Sequence, residues 1–177
     1  MPKSDDKAPS LLDEIAAAAK IYGDRSFNNY AQIRSVAEAI RDGLCAHLAG
    51  EKKCVYLVPP QGPFTAQNYR SAAYSVSGKG FLPLEPISFG LAINISGDGD
   101  YMRLVLTCRK EGDKMFIHID EGRETDLSLP LEETELKQFF DGINTHLLDW
   151  FESRVDQYDN GNYGNNDIGF DIQRVDE

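Results

Sequence analysis

Between residues 87 and 120 the chain alternates apolar and polar side chains with period two in three consecutive segments. Ile87, Phe89, Leu91, Ile93 and Ile95 form the apolar set of the first, Met102, Leu104, Leu106 and Cys108 that of the second, and Met115, Ile117 and Ile119 that of the third. Period two places such positions on one face of a strand, so the pattern predicts an antiparallel meander with a single apolar face. Asp98-Gly99 is a type I′ hairpin pair. As a two-residue loop it sets Asn94 opposite Arg103, Ala92 opposite Val105 and Gly90 opposite Thr107. Glu111-Gly112 as a second such loop sets Arg109 opposite Lys114, Thr107 opposite Phe116, Val105 opposite His118 and Arg103 opposite Asp120. Both turns agree with the alternation, as they must, because a one-residue slip sends every side chain to the other face.

Helical spacing flanks the meander. Ser10 and Asp13 fit a capping box, and Leu11, Leu12, Ile15, Ala18, Ala19 and Tyr22 recur as in a short helix ending at Gly23. The polar stretch Asp24 to Asn29 reads as a break. Tyr30, Ile33, Val36, Ala37, Ile40, Leu44 and Leu48 then trace a second helix, which we expect on the apolar face of the meander. Cys54 to Val58, stopped by Pro59-Pro60, predicts a short strand, and Tyr69 to Ser77 a further one. Leu127 and Leu129 suggest a fourth meander strand ended by Pro130, and from Glu132 to about Gln157 apolar residues at three- and four-residue steps mark a long amphipathic helix. Ile168 to Val175 alternates again.

These elements predict an α+β fold. An antiparallel sheet of four to six strands, with the 87–120 meander at its centre, is covered on one face by an N-terminal helix pair and a long C-terminal helix. Residues 1–10 read as a disordered lead, 11–157 as a single domain, and 158–177 as an Asn/Gly-rich loop followed by an edge strand that pairs in cis or with another copy.

Charge adds an asymmetry that the net value of −11 conceals. Residues 120–177 hold 16 acidic and 4 basic side chains, whereas residues 1–60 hold 8 of each. An acidic surface repels phosphates, which argues against nucleic acid as a partner and suits a protein with a basic surface. Part of the acidity has a local explanation, since Glu132, Glu133 and Glu135 sit where a helix dipole favours anions. Cys45, Cys54 and Cys108 form an odd set without metal-type spacing and are expected to be free buried thiols. No window has the apolar length of a membrane span, and nothing resembles a signal peptide, so the expectation is a soluble cytoplasmic protein with no membrane association.

Candidate chemistry is sparse. On the polar face of the meander the derived register groups Asn94, Arg103 and Asp120 across three strands, with Tyr101, Arg109 and His118 on the same face. Small residues Ser88, Gly90 and Ala92 leave room for something to approach, so these six are the expected ligand-binding residues, suited to an anion or a peptide carboxylate. His118 and Asp120 lie two apart on one face without a third ligand, so no metal site is expected. Gly78-Lys79-Gly80 lacks the second glycine and the Ser or Thr of a phosphate loop, and no cofactor fingerprint occurs.

The leading expectation is therefore a non-enzymatic binding or protein-interaction module, adaptor or chaperone-like, without a cofactor. Its partner would be a protein with a basic surface, or a second copy forming a homodimer through an edge strand. Two alternatives follow from the same elements. One is a small-ligand-binding protein with its pocket between a curved sheet and the C-terminal helix; the other is a small hydrolase using His118 and Asp120.

Overall fold

The computed structural model describes residues 8–49, 54–96, 99–162 and 171–174. It is α+β. Helix α1 spans Leu11–Ala49, strand β1 Val55–Val58, β2 Ile87–Asn94, β3 Asp100–Glu111, β4 Lys114–Ile119, β5 Glu124–Ser128, helix α2 Glu133–Asp159 and β6 Asp171–Arg174. The strands form one antiparallel sheet in the order β1-β2-β3-β4-β5, and β6 also pairs with β3. That double use follows from length. β3 has twelve residues and β4 six, so β4 covers Leu106–Glu111 of one edge and β6 covers Asp100–Arg103 of the remainder.

The alternation read from the sequence holds on every meander strand. Ile87, Phe89, Leu91, Met102, Leu104, Leu106, Cys108, Met115 and Ile117 are fully buried on one face, where α1 presents Ile33, Val36, Ala37, Ile40 and Leu44. α2 packs beside α1, contributing Phe139, Phe140, Ile143 and Leu147 to the same core. At roughly 1.5–3 kcal/mol for each fully buried large apolar side chain, this layer is the main source of stability.

Register differs from expectation, in both hairpins by two residues. Asn94 pairs with Tyr101, Ala92 with Arg103 and Gly90 with Val105. Ile95 N–H donates to the Asp100 carbonyl at 3.0 Å, and the Ser96 hydroxyl bonds the Asp100 carboxylate at 3.0 Å, so the connection is longer than Asp98-Gly99 alone. Residues 97 and 98 lie outside the described residues. In the second hairpin Glu111 pairs with Lys114 and Thr107 with His118. Gly112, at φ +60°, takes the first place of a Gly112-Asp113 loop rather than the second place of Glu111-Gly112, as a type II′ turn prefers. A two-residue slip keeps each side chain on its face, so the alternation could not detect it.

Three further expectations are corrected. The two N-terminal helices are one helix of 39 residues. The polar stretch after Gly23 contains no residue that stops a helix; the Ser26 hydroxyl donates to the Tyr22 carbonyl at 2.8 Å, and Lys20 pairs with Asp24 one turn on. Tyr69 to Ser77 is not a strand: Arg70–Ala73 is a short 3₁₀ helix, after which Tyr74 makes one isolated bridge to Phe89. Cys45 and Cys54 are joined as a disulfide with Cα atoms 5.4 Å apart, while Cys108 is free and its thiol is pushed up to about 12 by burial. The expectation of three free thiols thus holds for Cys108 alone. No helix among the described residues is long and apolar enough to cross a membrane. Of the expected C-terminal strand Ile168 to Val175, Asp171–Arg174 forms β6; residues 163–170 and 175–177 lie outside the described residues.

Where the two helices meet, Gly43 lies under the ring of Phe140, and a Cβ there would come within 2.6 Å of it. Phe140 is itself buried in the core between the helices and the sheet. Gly43→Ala should therefore destabilise the protein by up to about 2 kcal/mol, because overpacking of about 1–3 kcal/mol is set against a helix-propensity gain of about 1 kcal/mol. Urea unfolding checks this; equal or higher stability would show that the helix contact yields.

Candidate functional site

The six residues expected to bind a ligand all stand on the second face of the sheet, or at its margin, but they do not meet as one constellation. Asn94 and Tyr101 are directly opposite, and Arg103 is two residues beyond Tyr101 on β3. Asp120 is exposed at the end of β4, with its N–H donating to the Val105 carbonyl at 2.9 Å. Arg109 lies at the other end of β3, six residues from Arg103, or about 20 Å along the strand. There it pairs with Glu111 at 2.8 Å and Glu124 at 3.1 Å, and its guanidinium lies 4.3 Å from the Phe116 ring centre. His118 is exposed between Thr107 and Glu124. Arg103 thus faces Ala92 and Asp171, not Asn94 and Asp120.

The space left by the small residues of β2 is filled by the chain itself. Residues 59–69 fold back over this end of the second face, where Phe64 packs with Val58, Ala92 and Tyr101. Arg103 holds the segment down. Its Nη1 donates to the carbonyls of Gly62 at 2.6 Å and Pro59 at 3.2 Å, and its guanidinium sits 5.1 Å from the Phe64 ring centre. Gly90 makes this possible, since a Cβ there would lie 2.9 Å from the Pro59 carbonyl oxygen and 3.0 Å from Cδ of Arg103. Arg103 is only 6 % exposed. The same segment closes the outer edge of β1, where Asn68 Oδ1 accepts from Leu57 N–H and Tyr69 N–H donates to the Leu57 carbonyl, both at 2.9 Å.

The opposite edge of the sheet is different. Leu129 N–H donates to Asp113 and Ile119 N–H to Arg123, which puts the odd residues of β5 in the ladder to β4 and turns the backbone groups of Glu124 and Asp126 outward. Among the described residues no strand pairs with that edge. α2 runs alongside it, anchored where Glu135 accepts from Ser128 N–H at 2.7 Å and from the Ser128 hydroxyl at 3.0 Å. Between β5 and α2 lies a groove of about 520 Å³ with Ile119, Thr125 and Leu127 on the sheet side and Phe139, Gly142 and His146 on the helix side. Asp126, Glu135 and Asp149 on its rim outnumber Arg123, so the groove is acidic. Lys114, bonded at 2.6 Å, holds the Asp126 carboxyl below the usual carboxylate range. Burial lowers the His146 imidazole below its ordinary value, against a smaller opposing pull from Asp149.

Gly142 is the residue here that folding does not explain. A glycine inside a helix is less stable than alanine by about 0.5–1 kcal/mol, and a Cβ at Gly142 would meet nothing within 4 Å. It keeps the helix wall low beside the edge strand. A second, more open hollow of about 660 Å³ lies between α1 and the Gly112 turn, bordered by Asn28, Gln32, Lys110 and Pro130. Among the described residues no group of three His, Cys, Asp or Glu side chains is placed to hold a metal ion. Comparison with protein-family models, with curated proteins and with solved structures returns no match.

Two outcomes test these assignments. Arg103→Met keeps the stem but removes the donors to Pro59 and Gly62, and should destabilise the protein by about 2–3 kcal/mol. Amide exchange across residues 59–69 should quicken most; unchanged exchange there would contradict the role given to Arg103. For His146 the lowered folded value means that its contribution is complete above the unfolded histidine value of about 6.5 and is lost as pH falls through the folded one. The unfolding midpoint should fall between pH 7.5 and pH 5, and His146→Asn should reduce that fall measurably; equal falls in both proteins would exclude this histidine.

Proposed function

We propose that the protein is a non-enzymatic binding module that docks an extended, basic segment of a partner protein along β5, in the groove beside α2. One observation carries this reading: the groove runs along the sheet edge whose backbone donors and acceptors point outward at Glu124 and Asp126. Strand addition to such an edge takes its affinity from main-chain hydrogen bonds and its selectivity from alternate side chains. Thr125, Gly142 and Thr145 leave accessible surface for a partner's side chains and the acidic rim offers charge, in keeping with the strongly acidic last third of the chain.

A small-ligand reading draws on the same groove, because about 520 Å³ falls in the range of small-molecule sites, roughly 300–1,000 Å³. Pairing of two copies through β5 is the remaining use of this edge. Less supports a hydrolase, since His118 and Asp120 stand exposed on the open face and neither lines the two hollows described.

Short alternating Lys-Val peptides serve as the probe, with binding followed by fluorescence anisotropy. Gly142→Trp sets an indole into the groove from a position whose Cβ meets nothing within 4 Å, and Asp126→Pro removes an outward N–H, together with the carboxylate that pairs with Lys114, while leaving the backbone ladder to β4 in place. Each should weaken peptide binding at least about tenfold, equivalent to about 1.4 kcal/mol, while the unfolding midpoint stays near that of the parent. Binding unaffected by both variants overturns the proposal; loss in Gly142→Trp alone favours the small-ligand reading.

A further inference from the structure

The first four turns of α1 pack on nothing in the sheet. The first buried residue of the helix is Ser26, so residues 11–25, about 22 Å of helix, carry no buried side chain, and the contact they make is at Tyr22, whose hydroxyl accepts from Leu84 N–H at 2.8 Å. Its apolar side chains continue the stripe that is buried further along. Leu11, Ile15 and Tyr22 stand at multiples of the helical repeat from Ile33 and Ile40, and Leu12 and Ala19 flank them. Yet Leu11 is 79 %, Leu12 72 % and Ile15 65 % exposed. The stripe runs on into the exposed ring of Phe81, stacked 5.5 Å from that of Tyr22. Contiguous apolar surface of this kind on one face marks an interaction site.

We propose that this overhang is a self-association surface, pairing antiparallel with the same segment of a second copy and crossing it near Ala19. Charge selects the occupant. Residues 11–25 carry Asp13, Glu14 and Asp24 against Lys20 and Arg25, whereas helices that lie on lipid are rich in Lys and Arg on the polar face. Glu14 and Arg25 are eleven residues apart, close to three full turns, and so share one flank of the apolar stripe with opposite signs. In an antiparallel pair like flanks meet, and a two-fold axis near Ala19 sets each Glu14 against Arg25 of the other copy. Ala16 to Ala19 at the middle allow close approach, with Leu11 and Ile15 on one side of the crossing and Tyr22 on the other. A helix pair about 22 Å long falls at or below the small end of specific interfaces, near 1,200 Å² in total, so the dimer is weak and reversible. It leaves β5 and its groove open.

Sedimentation equilibrium of the full chain should show a monomer–dimer equilibrium with Kd of order tens to hundreds of micromolar. Ile15→Glu and Arg25→Glu should each weaken it, the first by about tenfold or more, with unfolding midpoints unchanged in dilute solution because neither side chain is in the core. Orientation is read from cysteines: Ala19→Cys should give a disulfide-linked dimer on mild oxidation, and Leu11→Cys should not, since only residues near the axis approach their own counterparts within about 6 Å. A monomer throughout the concentration range overturns the proposal. So does efficient self-linking of Leu11→Cys, or a dimer that survives Ile15→Glu and disappears in Asp126→Pro.

Discussion

β3 must satisfy different neighbours on its two faces and along its two edges, and the rest of the fold follows from how it does so. Met102, Leu104, Leu106 and Cys108 point to one side and are wholly buried beneath α1 and α2. Tyr101 and Arg103 point to the other, where the chain supplies a second small apolar cluster and two carbonyl acceptors. A buried guanidinium is tolerated only when its donors are met, and the 59–69 segment supplies two carbonyl acceptors to Nη1. Thus the most conspicuous polar residue of the meander serves to fasten a loop. The loop in turn closes the β1 edge, leaving β5 as the far edge on which another strand can be laid.

The fold class was legible because period two and period 3.6 are burial patterns, and burial decides which face a residue occupies. Register was not legible from the same pattern. Both hairpins slipped by two residues, which preserves every face yet replaces Asn94 and Asp120 beside Arg103 with Ala92 and Asp171. Three of the expected site residues therefore dispersed even though their faces were right. The break assigned at Asp24 to Asn29 failed for a related reason: polar residues are compatible with a helix that simply extends past its support, and periodicity in the flanking stretches could not distinguish one helix from two.

The groove at β5 left almost no trace in the sequence. Its walls come from a strand and a helix whose apolar residues look like ordinary core positions, and its acidity looks like a solvated helix face. Gly142 is the one signal pointing there, as a glycine in the interior of a strongly periodic helix. Similarly, the bare stripe of α1 is visible as apolar spacing, but only the position of the sheet reveals that its first turns lack a partner. Both surfaces lie at the margins of the fold, where the sheet ends on one side and where a helix outruns it on the other. That placement allows one copy to associate with another through α1 while β5 remains accessible.

Residue-resolved amide exchange, with and without an alternating Lys-Val peptide, shows directly whether β5 is an open acceptor edge. In the free protein Thr125 and Leu127 should be protected by the ladder to β4, while Glu124 and Asp126 exchange quickly. With peptide bound, Asp126 should become protected and the amides of residues 59–69 should remain as they were. Protection of Asp126 in the free monomer, or peptide-induced protection on the second face in place of β5, would mean that β5 is not the acceptor edge.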